Sequence, residues 1–139
     1  MNEKENSALV QQGYKLFAQG DIPGVLKLMS PDVVWESPKV ENVPFSGSFK
    51  GQEGVGQFFG ALAGALDILK FEPREFIAQG NKVVVLGEGR SRVKGQKEEF
   101  DDRWVDVLTV ENGKITRYEQ YGNTAQLERA FRMSARQPA

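Results

Sequence analysis

The sequence of 139 residues contains no cysteine and no histidine. The first absence removes disulfide staples and thiol nucleophiles, and leaves the redox compartment unmarked. The second removes the commonest general base near neutral pH and the commonest transition-metal ligand. Acid–base work therefore falls to Asp, Glu, Tyr or Lys. No charge of one sign dominates either. The 18 Lys and Arg against 19 Asp and Glu leave a net charge of −1, which gives no footprint for nucleic acid or an anionic membrane. No apolar run approaches the ~20 residues of a membrane span. The opening MNEKENS is polar and charged, unlike a secretory leader. A soluble, cytoplasmic protein is expected, with neither nucleic acid nor membrane as partner. The glycines from Gly51 to Gly60 lack the lysine of a phosphate loop, and the acids lack calcium-loop spacing. No metal and no cofactor are expected.

What is present suits one domain over residues 1–139. The organising stretch is Phe100 to Asn123. It reads as two long strands joined at Asn112-Gly113, a pair that favours the positive φ angles of a type I′ hairpin turn. On the first strand Trp104, Asp106, Leu108 and Val110 share one face, and Arg103, Val105, Val107 and Thr109 the other. Simple alternation on the second puts Ile115, Arg117, Glu119 and Tyr121 together, so Glu119 is expected across from Asp106. An acid inside an apolar strip predicts a sheet packed on one side and lining a pocket on the other.

Upstream, Ser7 to Gln19 has helical spacing, Gly20 suits a C-cap and Asp21 an N-cap, giving a helix pair. A short strand follows from Asp32 to Ser37, and Pro38 to Lys50 reads as an ordered loop at a pocket mouth. Phe49 to Leu69 has the apolar period of a third helix, weakened by Gly54, Gly56, Gly60 and Gly64. Strands are expected over Phe71 to Gln79 and Lys82 to Val93, with a bend at Gly87/Gly89. Asn123 or Thr124 caps a short last helix. Helices first and antiparallel strands after predict an α+β domain with a curved sheet.

Four pieces carry a resemblance across nearly the whole chain: the helix pair running into Ser30-Pro31-Asp32-Val33-Val34-Trp35; Phe49-Lys50-Gly51; Arg103-Trp104-Val105-Asp106-Val107 with Val110-Glu111-Asn112-Gly113-Lys114-Ile115; and Tyr118 to Asn123 running into Phe131. Together they resemble the NTF2-like superfamily, and within it the SnoaL-like polyketide cyclases and relatives of ketosteroid isomerase. The resemblance implies a cone: a strongly curved mixed sheet wrapped by three helices around a deep apolar pocket, often in a homodimer. It also marks departures. The acid that polyketide cyclases carry two residues after the strand tyrosine is Asn123 here. The Arg-x-Asp pair of limonene epoxide hydrolases falls on Trp104 and Asp106. In steroid isomerases an acid near the first short strand works with a tyrosine and a protonated acid; Asp32 or Glu36 lies near that strand, and Asp106 on the partner's.

Asp106 is the leading catalytic candidate, with Glu119 and Tyr121 beside it. Buried without a cation, Asp106 has a raised pKa suited to proton transfer; clasped by Arg90 or Arg92, it is structural. Tyr14, Trp35, Phe58, Trp104, Leu108, Arg90 and Asn123 are candidate pocket residues. The expected ligand is a small apolar or cyclic organic molecule. The leading function is isomerase or cyclase chemistry by carboxylate acid–base catalysis. Epoxide-hydrolase-like hydration, non-catalytic binding of a hydrophobic ligand, and an assembly module through Val105, Val107 and Val83 or Val85 are the alternatives.

Overall fold

The computed structural model describes residues 2–136. Asn2 opens the first helix, α1 (Glu3–Ala18), with a reciprocal cap: its side chain accepts from the Glu5 amide at 2.8 Å, and Glu5 reaches back to the Asn2 amide. Gly20 turns the chain at φ 77°, and Asp21 then caps a short second helix, α2 (Ile22–Lys27), with Pro23 in its first turn. The first strand, β1 (Met29–Glu36), starts three residues earlier than the sequence pattern suggests. A three-residue strand, β2 (Ser48–Lys50), pairs antiparallel with it and lies inside the segment expected to be all loop. Between them, Val40, Val43 and Phe45 are buried, and Ser46 Oγ accepts from the Val40 amide at 2.9 Å. This loop closes part of the cone's wide end.

The third helix, α3 (Gly51–Ala65), ends four residues before Leu69. Leu66 is already extended and pairs with Val93, opening β3 (Leu66–Gln79). The apolar helical spacing runs on to Leu69, but glycines cost a helix interior about 1 kcal/mol each, and strand pairing takes over. The remaining elements are β4 (Lys82–Val93), β5 (Glu99–Glu111), β6 (Lys114–Gly122) and α4 (Thr124–Arg136). The last of these, α4, is the short helix expected after Asn123.

The strands form one mixed sheet in the order β2-β1-β6-β5-β4-β3, with β1 and β6 parallel and the other neighbours antiparallel. The sheet does not close, so β2 and β3 are its edges. Its concave face holds the core: Val33, Trp35, Val83, Val85, Trp104 and Leu108 are buried against Val10 of α1 and Val55, Phe58 and Phe59 of α3. Gly87 and Gly89 work as the bend signals suggest. A Cβ on Gly87 would overlap the Trp104 ring, and one on Gly89 would come 2.6 Å from the Lys70 carbonyl. Glycine lets the indole lie flat across β4.

The hairpin turn forms as read, with Asn112 at φ 51° and Gly113 at φ 76°. The strand beyond it does not follow simple alternation. Val110 pairs with Ile115, but Thr109 pairs with Arg117, so Thr116 is an extra residue bulged out of the ladder. One extra residue exchanges the two faces of a strand. Ile115 points inward before the bulge; after it, Tyr118 and Gln120 point inward, and Arg117, Glu119 and Tyr121 point out.

Candidate functional site

Asp106 stands at the centre of the concave face and is 1% exposed. Its strand neighbours across the sheet are Val85 and Gln120, and no arginine or lysine is paired with it among the described residues. Tyr14 from α1 and Tyr118 from β6 both donate their hydroxyls to Asp106 Oδ2. Oδ1 has no hydrogen-bond partner among the described residues. Gln120 stands beside the carboxylate, but its amide makes no well-formed bond to that oxygen.

Burial raises the Asp106 carboxyl from 3.8 to about 7. The Tyr118 and Tyr14 hydroxyls and the Gln120 side chain pull it down, and the charge of Asp102 adds to the rise. Burial, then the Asp106 charge, hold both phenols well above their usual 10. Neither tyrosine ionises near neutral pH, so both act as O–H groups. With Asp106 ionised, both phenol protons are spent on Oδ2. When Asp106 takes a proton, three O–H groups surround one point, and one of them is free to donate elsewhere.

That freed donor has somewhere to go. Tyr14, Tyr118, Gln120, Trp104 and Leu108 line a cavity of about 170 Å³ that runs between the sheet, α1 and α3 toward α4. One ordered water needs only about 10–15 Å³, so the space suits a small ring system. Asp106 does not line this cavity; it sits behind the two tyrosines and Gln120. The walls are aromatic. Trp104 lies nearly parallel to Tyr14 and Phe71, with centroids 5.9 and 5.2 Å away. Trp35 stacks on Tyr118 at 3.4 Å and meets Phe58 at 4.3 Å. The buried Trp35 Nε1 has no acceptor among the described residues, which leaves a second donor at the wall.

Of the pocket candidates, Tyr14, Trp35, Phe58, Trp104, Leu108 and Asn123 line the cavity. Asn123 is at the rim, where its Oδ1 caps α4 by accepting from the Gln126 amide at 3.0 Å. Arg90 does not belong with them. It projects from the convex face and pairs with Glu99 at 2.6 Å and Asp101 at 2.7 Å. Arg92 reaches Asp67 at 3.4 Å, so neither arginine clasps Asp106.

Glu119 does not stand beside Asp106 either. The Thr116 bulge turns it onto the convex face, where Arg117 Nε holds it at 2.6 Å and lowers its pKa. Tyr121 follows it: the ring is half exposed at the cavity rim, and its hydroxyl donates to Glu119 Oε2 at 3.2 Å. Glu36 joins the same cluster through Arg117 at 2.7 Å, and Asp32 is exposed, so neither acid of the first strand enters the cone. Arg103 is exposed on the convex face, and no Arg-x-Asp pair forms. Val83 and Val85 are fully buried inside; Val84 and Leu86 instead accompany Val105 and Val107 outside.

Two residues were not singled out from the sequence. Tyr118 was hidden by the bulge, since alternation from Ile115 sends it outward. Asp102 was legible: it is two residues before Trp104 and four before Asp106, and therefore on their face. It lines the cavity, half-buried, with its pKa raised by burial.

A family model of the SnoaL-like domain matches residues 10–118. An uncharacterized protein of Mycobacterium tuberculosis is 26% identical over 121 residues, which is 87% of this chain and 91% of that one. Among solved structures, an NTF2-like protein from Burkholderia xenovorans is 32% identical, with 94% of this chain and 98% of that one covered and a TM-score of 0.85. TerC, crystallized with polyporic acid, is 28% identical, with 92% and 98% covered and a TM-score of 0.77. A bent mixed sheet, a helix-lined cone and a sequence match spanning most of the chain agree with one another, and the chain belongs to the SnoaL-like family, with the NTF2-like fold.

Proposed function

We propose that the protein binds a small, flat, apolar cyclic molecule in the cone and rearranges it by acid–base proton transfer, as an isomerase or cyclase that needs no cofactor. The observation that carries this reading is the Tyr14–Asp106–Tyr118 cluster: a buried carboxyl with no cation beside it among the described residues, sharing protons with two hydroxyls of the cavity wall. A carbonyl oxygen placed against those hydroxyls would receive a hydrogen bond that strengthens as charge develops on it, which is the larger electrostatic part of such catalysis. The low-dielectric surroundings increase the effect. The aromatic walls suit a ring-shaped ligand, and the likeness to TerC, crystallized with polyporic acid, supports a small-molecule site. The convex strip of Val84, Leu86, Val105 and Val107 supports a homodimer as the working form, which sedimentation velocity would test.

The test is a fluorescence titration with β-naphthol, whose hydroxyl mimics an enol, alongside crystal soaks with cyclic ketones, lactones and epoxides. Binding with a Kd below about 1 mM is expected, weakened severalfold by Tyr14→Phe. No binding, together with an empty cone in every soak, would end the proposal. Tight binding with no turnover of any soaked compound would favour the carrier reading, which the mostly apolar lining also supports.

A further inference from the structure

Asp106 and its tyrosines can hold charge on an oxygen, yet proton transfer at carbon also needs a base that touches the substrate. Asp106 is screened from the cavity, and Glu36 and Glu119 face outward in ion pairs with Arg117. Asp102 is the one carboxylate among the described residues that lines the cavity. Its surroundings keep it open. Its register partner on β4 is Gly89. On the other side a Cβ at Gly122 would lie 3.7 Å from Asp102 Oδ1, where glycine leaves space. Among the described residues no side chain donates to Asp102 and no cation pairs with it. Other half-buried acids of this sheet are engaged: Glu119 by Arg117, Glu88 by Arg74 and Lys70.

Asp102, Tyr14 and Tyr118 line the same cavity. Four residues of strand, about 13 Å along the backbone, separate Asp102 from Asp106, with the Trp104 indole between them. Asp102, Trp104 and Asp106 share the concave face of β5, and the charge of Asp102 adds to the rise in the Asp106 pKa.

We propose that Asp102 is the catalytic base of this site, taking a proton from carbon of a conjugated cyclic carbonyl compound whose oxygen rests on Tyr14 and Tyr118. This rests on the acid–base reading above and assigns its missing partner. The Asp102 carboxylate removes the proton. The C–H electron pair becomes the π bond of a dienolate or enolate, and the carbonyl π pair moves onto oxygen, where a tyrosine hydroxyl donates to it. Protonated Asp102 swaps its proton with solvent water and then delivers one to the same carbon or to another carbon of the conjugated system. The first outcome is exchange and the second isomerisation, and neither needs a co-reactant. The two acids divide the work by environment: burial holds the deeper one toward its protonated form, and the shallower, half-buried one is the base.

The test uses the full chain and two probes. β-Naphthol binding reports the cavity and its tyrosines. Hydrogen–deuterium exchange at the acidic ring CH₂ of β-tetralone in D₂O, followed by NMR, reports the base. Asp102→Asn should bind β-naphthol within about threefold of the unaltered protein and lose exchange by about 100-fold or more. Asp102→Ala should lose exchange likewise and regain part of it with added formate, which a purely structural role would not produce. Exchange within about threefold of the unaltered protein in both variants overturns the assignment. So does β-naphthol binding by the unaltered protein without any exchange of β-tetralone. Failure to bind β-naphthol at all would instead strike the cavity reading beneath it.

Discussion

The two faces of the sheet hold the same kinds of residue and give them opposite chemistry. On the convex face Glu36, Arg117, Glu119 and Tyr121 form a connected cluster, and Glu88 takes Arg74 and Lys70. There the arginines lower the pKa of Glu119 and Glu88, and both stay ionised near neutral pH. On the concave face Asp106 meets two tyrosines and, among the described residues, no cation, and burial takes it to about 7. A carboxylate becomes reactive here through the face it occupies. On β6 that face is decided by one bulged residue, Thr116.

The largest effect should therefore come from deleting Thr116 and Arg117 together; deleting Thr116 alone only removes the bulge and leaves Thr109 opposite Arg117. The shortened strand must choose between its turn and its core. Keeping the Asn112-Gly113 register would put Tyr118 opposite Thr109 and Glu119 opposite Leu108, turning Glu119 into the cone and Tyr118 and Gln120 out. Stranding a buried charge costs about 3–5 kcal/mol, a large part of the roughly 5–15 kcal/mol that a domain possesses. Loss of the near-ultraviolet dichroism of Trp35 and Trp104 is expected, with a melting point lower by about 10 °C or more. A double deletion that melts within about 3 °C of the unaltered protein would show that the spacing from the turn does not set the faces.

The next effect is the dependence of stability on pH. The folded pKa of Asp106 lies above its unfolded value, so the folded state binds more protons between about 4 and about 7. This contribution is fully present below pH 4 and lost as pH rises to about 7, at most about 4 kcal/mol for a shift of this size. Glu119 and Glu88, with lowered pKa values, act in the opposite sense, losing stability as pH falls below the ordinary carboxylate range. Asp106→Asn should remove the decline between pH 5 and 8 in urea melts, and match or exceed the unaltered protein at pH 8. An unchanged slope would mean that Asp106 is already compensated by a cation. In turnover of any substrate found, activity of Asp106→Asn within about twofold would remove Asp106 from the mechanism.

Much of this architecture is written in local patterns. The capping residues, the Asn112-Gly113 turn and the inward set Trp104, Asp106 and Leu108 follow from spacing and turn chemistry. The end of α3 does not, because Leu66 to Leu69 fits either period, and pairing with β4 settles it over a distance the helix pattern does not contain. The role of Glu119 does not either, because Thr116 carries no mark of a bulge. Any residue type can be the extra one, and the decision comes from fitting β6 between β1 and β5. Asp102 was readable from parity alone. Gly87 lies between these cases: its bend was legible, but the indole it admits was not. Gly87→Ala should cost about 1–3 kcal/mol and shift the Trp104 emission, since the ring must move from under the new methyl group. Unchanged emission and stability would place the Trp104 ring elsewhere.

The smallest effect should be found at Arg117. Arg117→Gln removes both the Glu36 and the Glu119 contacts, and so dismantles the convex cluster at its centre. Both acids stay partly exposed, so each recovers water in place of the guanidinium, and the melting point should fall by no more than about 3 °C, by less with added salt. The cavity should not notice, because the cluster and Asp106 are on opposite sides of the strand. β-Naphthol binding is expected within about twofold, and the Asp106 contribution to the pH slope intact. A large fall in binding would mean that the two faces are coupled through β6, and that Glu119 shapes the site from outside after all. Reading Arg117→Gln beside Asp106→Asn thus separates a charge that decorates the sheet from one that the sheet encloses.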